Sequence, residues 1–182
     1  MTSRTQRCLL VARCSLLRQS RAIHLRSLED FKQHVTILPS DDAERIRQRY
    51  IDTFVDVTSA YYRDSIATLR QYSDGVYYSG YLWDTLKHPQ MIPEKAVLRN
   101  PAMWNETVYA FWDLHSSEKI VVKDYWEYQK NAVLELRYRD LIAGLAYLPE
   151  DIYIAATDFS WTLILTHESW EGVPRYCLKA MP

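Results

Sequence analysis

The segment 151–167, "DIYIAATDFSWTLILTH", constrains the fold more than any other part of the chain. Two apolar runs, "DIYIAAT" and "SWTLILTH", are rich in β-branched and aromatic residues and are separated only by Asp158 and Phe159. Runs of that composition with so short a connection read as a hairpin. Upstream, "TVYAFWDL" alternates in the same way and "EKIVVKD" follows it after the polar "HSS". A last short strand is expected in "PRYCLK". Strands joined by short turns pair antiparallel.

Before these strands the pattern is helical. Ser27 caps a short turn in "SLEDFKQHV". Ser40, Asp41 and Asp42 then offer N-caps, with Glu44 three residues after Asp41 as in a capping box, and Ile46, Tyr50, Phe54 and Val57 recur at helical spacing. The period runs on through Tyr61, Ile66 and Leu69 to the "SDG" breaker, which predicts one long helix. Its other face carries Arg45, Arg47, Arg49, Arg63 and Arg70 interspersed with Asp52, Asp56 and Asp64, the composition of a solvated face. Shorter helices are expected in "YYSGYLWDTLK", in "IPEKAVLRNP", and in the later part of 124–149, where Leu136, Leu141, Leu145 and Leu148 are apolar. The class is α+β, a helical N-terminal half packed on a small antiparallel β-sheet formed mainly by the C-terminal half.

The first 28 residues differ from the rest. They hold six arginines and no acid, with Ser3, Ser15 and Ser20, and on a helix Arg4, Arg7, Arg18 and Arg21 face away from Leu9, Ala12 and Leu16. An Arg-rich, Ser-containing, acid-free amphipathic start has the composition of a mitochondrial transit peptide, over residues 1–22. A basic arm is the alternative. Cutting after Ala22 leaves Arg21 at the second position before the cut, then a linker or short helix over 23–39 and one domain over 40–182. The expected address is the mitochondrial matrix.

Such a cut leaves 17 basic against 23 acidic side chains, a net charge of −6, so nucleic acid is not an expected partner. No apolar run is long enough for a membrane span. Of the cysteines, Cys8 and Cys14 leave and Cys177 remains, which excludes an internal disulfide and a multi-thiolate zinc site in the processed chain. No cofactor fingerprint occurs: there is no Walker loop, no dinucleotide glycine pattern and no serine elbow.

Asp151, Tyr153, Phe159, Trp161, Thr162, Thr166, His167 and Glu168 carry a resemblance. Together with "GYLWDTL" and "YAFWDLHS", they resemble a family of small bacterial proteins of unknown function, whose C-terminal half ends in Asp-x-Tyr, Phe-x-Trp-Thr and Thr-His-Glu. Similar endings occur in some bacterial toxin-immunity proteins. The resemblance covers about the second half of the chain, brings no established activity, and implies a bacterial-type domain behind a targeting sequence.

His167 and Glu168 point to opposite faces of a regular strand, so they do not converge on one site. His167 is expected to pack with Trp161, Leu163 and Leu165 at the core edge, its ring bonded to main chain or to a carboxylate. The catalytic candidates are Asp113, His115, His167 and Glu168, with Glu118 beside the turn. Two imidazoles and a carboxylate could bind a divalent metal and activate water. Whether a metal binds is left open by sequence. Cys177 reads as a buried small hydrophobe rather than a nucleophile.

Rings are abundant, 14 Tyr, 6 Trp and 4 Phe against 4 Gly, and adjacent pairs such as Tyr61-Tyr62 and Tyr77-Tyr78 cannot all face inward. An outward share favours protein contacts. The sequence therefore reads as a non-catalytic accessory or assembly protein, held to a protein partner or a larger mitochondrial complex by an aromatic surface. The alternatives are a metal-assisted hydrolase using Asp113, His115 and His167, and an immunity-like small binder.

Overall fold

A computed structural model describes residues 27–72, 75–114, 128–169 and 176–182. The proposed transit peptide, the "EKIVVKD" strand, His115, Glu118 and Trp170 lie outside them.

Seven strands make one antiparallel sheet in the order β1-β6-β5-β7-β8-β9-β4. They are β1 (Val35–Ile37), β4 (Gln90–Pro93), β5 (Thr107–Phe111), β6 (Leu134–Arg137), β7 (Ile152–Ala156), β8 (Thr162–Leu165) and β9 (Tyr176–Ala180). A separate two-stranded ladder joins β2 (Arg70–Tyr72) to β3 (Gly75–Tyr77). The expected hairpin is β7 and β8, paired from Ile152 with Leu165 to Ala155 with Thr162. Its turn holds Phe159 at φ 63°, while Asp158 Oδ1 accepts hydrogen bonds from the N–H and hydroxyl of Ser160. The class is α+β.

Both faces of the central strands are covered. Ile152, Ile154, Leu163 and Leu165 join Phe31 and Val97 on one side, together with Tyr138, Leu141 and Ile142 of α4 (Tyr138–Gly144). Phe31 belongs to α1 (Leu28–Lys32), capped by the Ser27 hydroxyl, and Val97 to α3 (Glu94–Leu98). On the other side Tyr153, Ala155 and Ile164 meet Tyr50 and Phe54 of α2 (Ser40–Phe54), with Ile66, Leu82 and Trp83. Each fully buried Leu, Ile or Phe contributes about 1.5–3 kcal/mol. At Gly144 a Cβ would sit 2.2 Å from the Phe31 ring, so only glycine lets α4 approach α1.

Four sequence expectations are corrected. The long helix stops at Phe54, because Val55 turns extended and bridges Leu86. The Lys87 N–H donates to Phe54 O (2.7 Å), and its Nζ donates to the carbonyls of Asp52 and Thr53, so the last carbonyls of α2 are satisfied. Asp56 then accepts from the N–H and hydroxyl of Thr58, a local turn that competes with helix, and only a π-helical turn follows at Tyr62–Ile66. The helix in "YYSGYLWDTLK" is a single 3-10 turn, Leu82–Thr85. Finally, Leu136 lies in β6 rather than a helix. β6 pairs with β1 on one edge and β5 on the other, and that double pairing overrides the helix propensity of Leu-Glu-Leu-Arg.

The N-cap of α2 also differs. Pro39 occupies it with no side-chain hydrogen bond, and Asp41 and Asp42 sit in the first turn, where they favour the positive helix end.

Candidate functional site

Of the sequence-flagged catalytic candidates, Asp113, His167 and Glu168 lie at one end of the sheet, in an inner and an outer layer, while His115 lies outside the described residues. The inner layer is built on Asp113, two residues beyond β5 and 7% exposed. Tyr78 donates to its Oδ1 (2.8 Å), Tyr153 donates to its Oδ2 (2.6 Å), and the Leu82 N–H reaches Oδ1 (3.3 Å). Each phenol oxygen also accepts: Tyr78 from the Leu114 N–H, Tyr153 from the Trp83 N–H. Burial first, and the Asp113 charge second, push both phenols well above the ordinary tyrosine range. This network joins β5, β7, the end of β3 and the 3-10 turn through hydrogen bonds that fill both Asp113 oxygens.

Arg47 closes the layer from α2. Its Nε donates to Asn131 O (3.1 Å), Nη1 to Trp112 O (2.9 Å), and Nη2 to the carbonyls of Lys130 and Ala132, while its guanidinium lies 4.8 Å from the Phe111 ring centre. Sequence reasoning placed Arg47 on a solvated face and so missed this clamp. A signal was present: Ala43, Arg47, Tyr50 and Phe54 are spaced i, i+4, i+7, i+11, and the other three are buried.

The outer layer is built on Asp151, which directly precedes β7. Its Oδ1 accepts the His167 backbone N–H (2.6 Å), and its Oδ2 lies 2.8 Å from His167 Nδ1. Two carboxylate oxygens beside Nδ1 favour a ring proton on that nitrogen and fix the orientation of the ring. The His167 side chain is 40% exposed and its ring bonds a carboxylate as expected, but it lies against Tyr81 and Trp83 on the face opposite Trp161, Leu163 and Leu165. Strand β8 ends at Leu165, Thr166 is buried, and the Asp151 cap turns His167 towards Tyr81 and Trp83, with ring centres 5.7 and 6.1 Å away.

Tyr81 stacks on Trp83 at 4.1 Å. The Tyr61 hydroxyl accepts from the Tyr81 N–H (3.3 Å) and bonds the Asp84 carboxyl. Burial raises the Asp84 pKa above the usual carboxylate value, the Tyr61 bond opposes that rise, and the nearby Glu168 charge adds to it. Tyr81 and His167 thus lie against the buried Trp83, whose Nε1 has no hydrogen-bond partner among the described residues, and Tyr61 and Glu168 join them through Tyr81 and Asp84.

The remaining signature residues are structural. Thr162 shares a hydrogen bond with the Tyr50 hydroxyl, Trp161 is 9% exposed, and the buried Phe159 ring lies under the Arg49 guanidinium at 4.6 Å. Cys177 is wholly buried on the α4 side. Among the described residues no group of three His, Cys, Asp or Glu side chains converges to hold a metal ion. Chemically, the outer layer offers an oriented imidazole, the three carboxylates of Asp84, Asp151 and Glu168, and half-exposed rings.

The arrangement is that of an α+β domain with a polar, aromatic-lined sheet end. No protein-family model matches the chain, and neither does any curated protein or solved structure.

Proposed function

We propose that this chain is a non-catalytic mitochondrial accessory or assembly protein that binds another protein through the outer layer of the sheet end. The observation that carries the reading is the convergence of Tyr61 and Tyr81 with His167, Asp84 and Glu168 around Trp83. Aromatic rings with polar tips form the anchors of protein interfaces. The acid pair supplies charge complementarity towards a basic contact on the partner. The N-terminal composition supports the mitochondrial address.

The test is the native size of the tagged protein in gentle mitochondrial lysate, with mass spectrometry of its peak, for the parent chain and for Tyr81→Ala/Glu168→Gln. Co-migration with a larger assembly that the double variant loses is the expected result. Migration of the parent chain as a free particle overturns it, as does a cytosolic location. One small tight partner would favour an immunity-like binder.

The Asp151–His167 pair favours a second reading. An imidazole held through Nδ1 by a carboxylate has the orientation of a general base. A hydrolase using Asp113, His115 and His167 would need Asp113 to exchange its tyrosine hydrogen bonds for metal coordination. It predicts bound metal in the purified protein, lost on His115→Ala.

A further inference from the structure

The outer layer has an unusual charge arrangement. Elsewhere on the described surface acids meet bases: Asp42 pairs with Arg45, Glu29 pairs with Lys32, and the charges of Lys87 and Arg49 act on Asp56 and Asp158. At Asp84 the charge that acts is that of a second acid, Glu168, and the hydrogen bond comes from the neutral Tyr61 hydroxyl. Two carboxylates that repel one another beside half-exposed rings call for a guanidinium, which stacks on tyrosine and bonds carboxylate. A second observation calls for an acceptor. Trp83 is 2% exposed, with Tyr81 stacked on it at 4.1 Å and His167 at its edge, yet its Nε1–H has no partner among the described residues. A metal ion or an ammonium ion supplies no acceptor, whereas a basic peptide brings guanidinium groups and backbone carbonyls together.

We propose that the N-terminal segment 1–26 of this same chain docks on the outer layer, with its arginines on Asp84 and Glu168, and covers the partner surface until the segment is removed. The sequence selects this occupant. Residues 1–26 hold six arginines and no acid, and no other stretch of that length is free of acid. The segment joins the described chain at Ser27, the cap of α1. Extended, it reaches about 85 Å, against roughly 40 Å across a domain of this size, so the sheet end lies within its span. Tethering holds it at an effective concentration of about a millimolar, which favours it over a free basic ligand. The regulatory consequence rests on the proposed partner reading: the full-length chain is closed to its partner, and the chain cut after Ala22 is open.

The experiment uses the full chain and its own thiols. Cys177 is wholly buried, so a benzophenone maleimide attaches at Cys8, or at Cys14, when the other is replaced by Ser. On irradiation the label should join the segment to peptides that hold Tyr81–Asp84 or His167 and Glu168, in a product of single-chain mass at every concentration. Asp84→Asn with Glu168→Gln should lower that yield about threefold or more, and salt at about 1 M should lower it likewise. Cross-links that avoid both peptides, a yield indifferent to the double variant, or a product of two-chain mass overturns the proposal. No partner takes part in this measurement. A cross-link without a larger assembly in lysate therefore breaks only the partner reading, and an assembly without the cross-link breaks only this inference.

Discussion

The two faces of one sheet are held by different physics. Against α4 the contacts are almost wholly apolar, with Leu134, Leu136, Ile154, Leu163 and Leu165 packed under Leu141 and Ile142. Against α2 the same strands present Tyr153 and Thr162 to Tyr50, Tyr78, Asp113 and Arg47, a layer in which large rings are tied by directed hydrogen bonds. An apolar face tolerates exchange of residues of similar volume, whereas a buried polar face requires each donor to find its acceptor. The polar face is therefore the one that specifies geometry, and it is the face that carries the 3-10 turn and Trp83 to the sheet end.

Substitutions should separate the faces by size of effect. Asp113→Ala strands two phenols and an amide, and should cost about 3–5 kcal/mol in urea unfolding. A conservative exchange on the apolar face, Leu163→Met, should cost less than about 1.5 kcal/mol. If the two match, the contrast is wrong. Arg47→Met keeps the stem but releases the carbonyls of Trp112, Asn131 and Ala132, for an expected loss of about 2–3 kcal/mol in the same assay. On the apolar side, Gly144→Ala forces a methyl against Phe31 and should cost about 1–3 kcal/mol, recovered in part by Phe31→Leu.

His167→Ala should cost only about 1 kcal/mol, since the ring is partly exposed and Asp151 keeps its bond to the backbone N–H of residue 167.

Titration sharpens the contrast further. The buried phenols of Tyr50, Tyr78 and Tyr153 have raised folded-state pKa values, so above the ordinary tyrosine value the unfolded chain has released protons that the native one retains. Stability must then fall as pH rises past about 10, and these phenols should ionise, by ultraviolet difference absorbance, only as the chain unfolds. Asp84 has the same sign at acidic pH. Its raised carboxyl makes the native state the better proton binder, so its contribution declines as pH rises from the unfolded to the folded pKa, and Asp84→Asn should remove that slope from thermal melts.

The hairpin, the strand of "TVYAFWDL" and the helix at Ser40 are legible in sequence because each rests on local composition and period. β6 is not, since Leu134–Arg137 becomes a strand only by pairing with Val35–Ile37 and Thr107–Ala110, partners distant in sequence. The end of α2 is hidden for a similar reason: the helical period continues past Phe54, but Thr85 and Lys87 take over the backbone groups there. At the site, the alternation rule placed His167 on a strand that has already ended, because a carboxylate sixteen residues away caps its backbone. The Asp113 network escapes sequence for want of any spacing rule: its partners Tyr78 and Tyr153 are thirty-five and forty residues away.

Strand order also sets a timetable for synthesis. β4 is made early, yet within the sheet its neighbour is β9, which emerges more than eighty residues later. A nascent chain that has exposed only α2, β4 and β5 holds apolar rings with no sheet to cover them, and closing so long a loop is slow. Until β7 and β8, residues 152–165, leave the ribosome, this domain depends on whatever shields Tyr50, Phe54 and Trp83 from other chains.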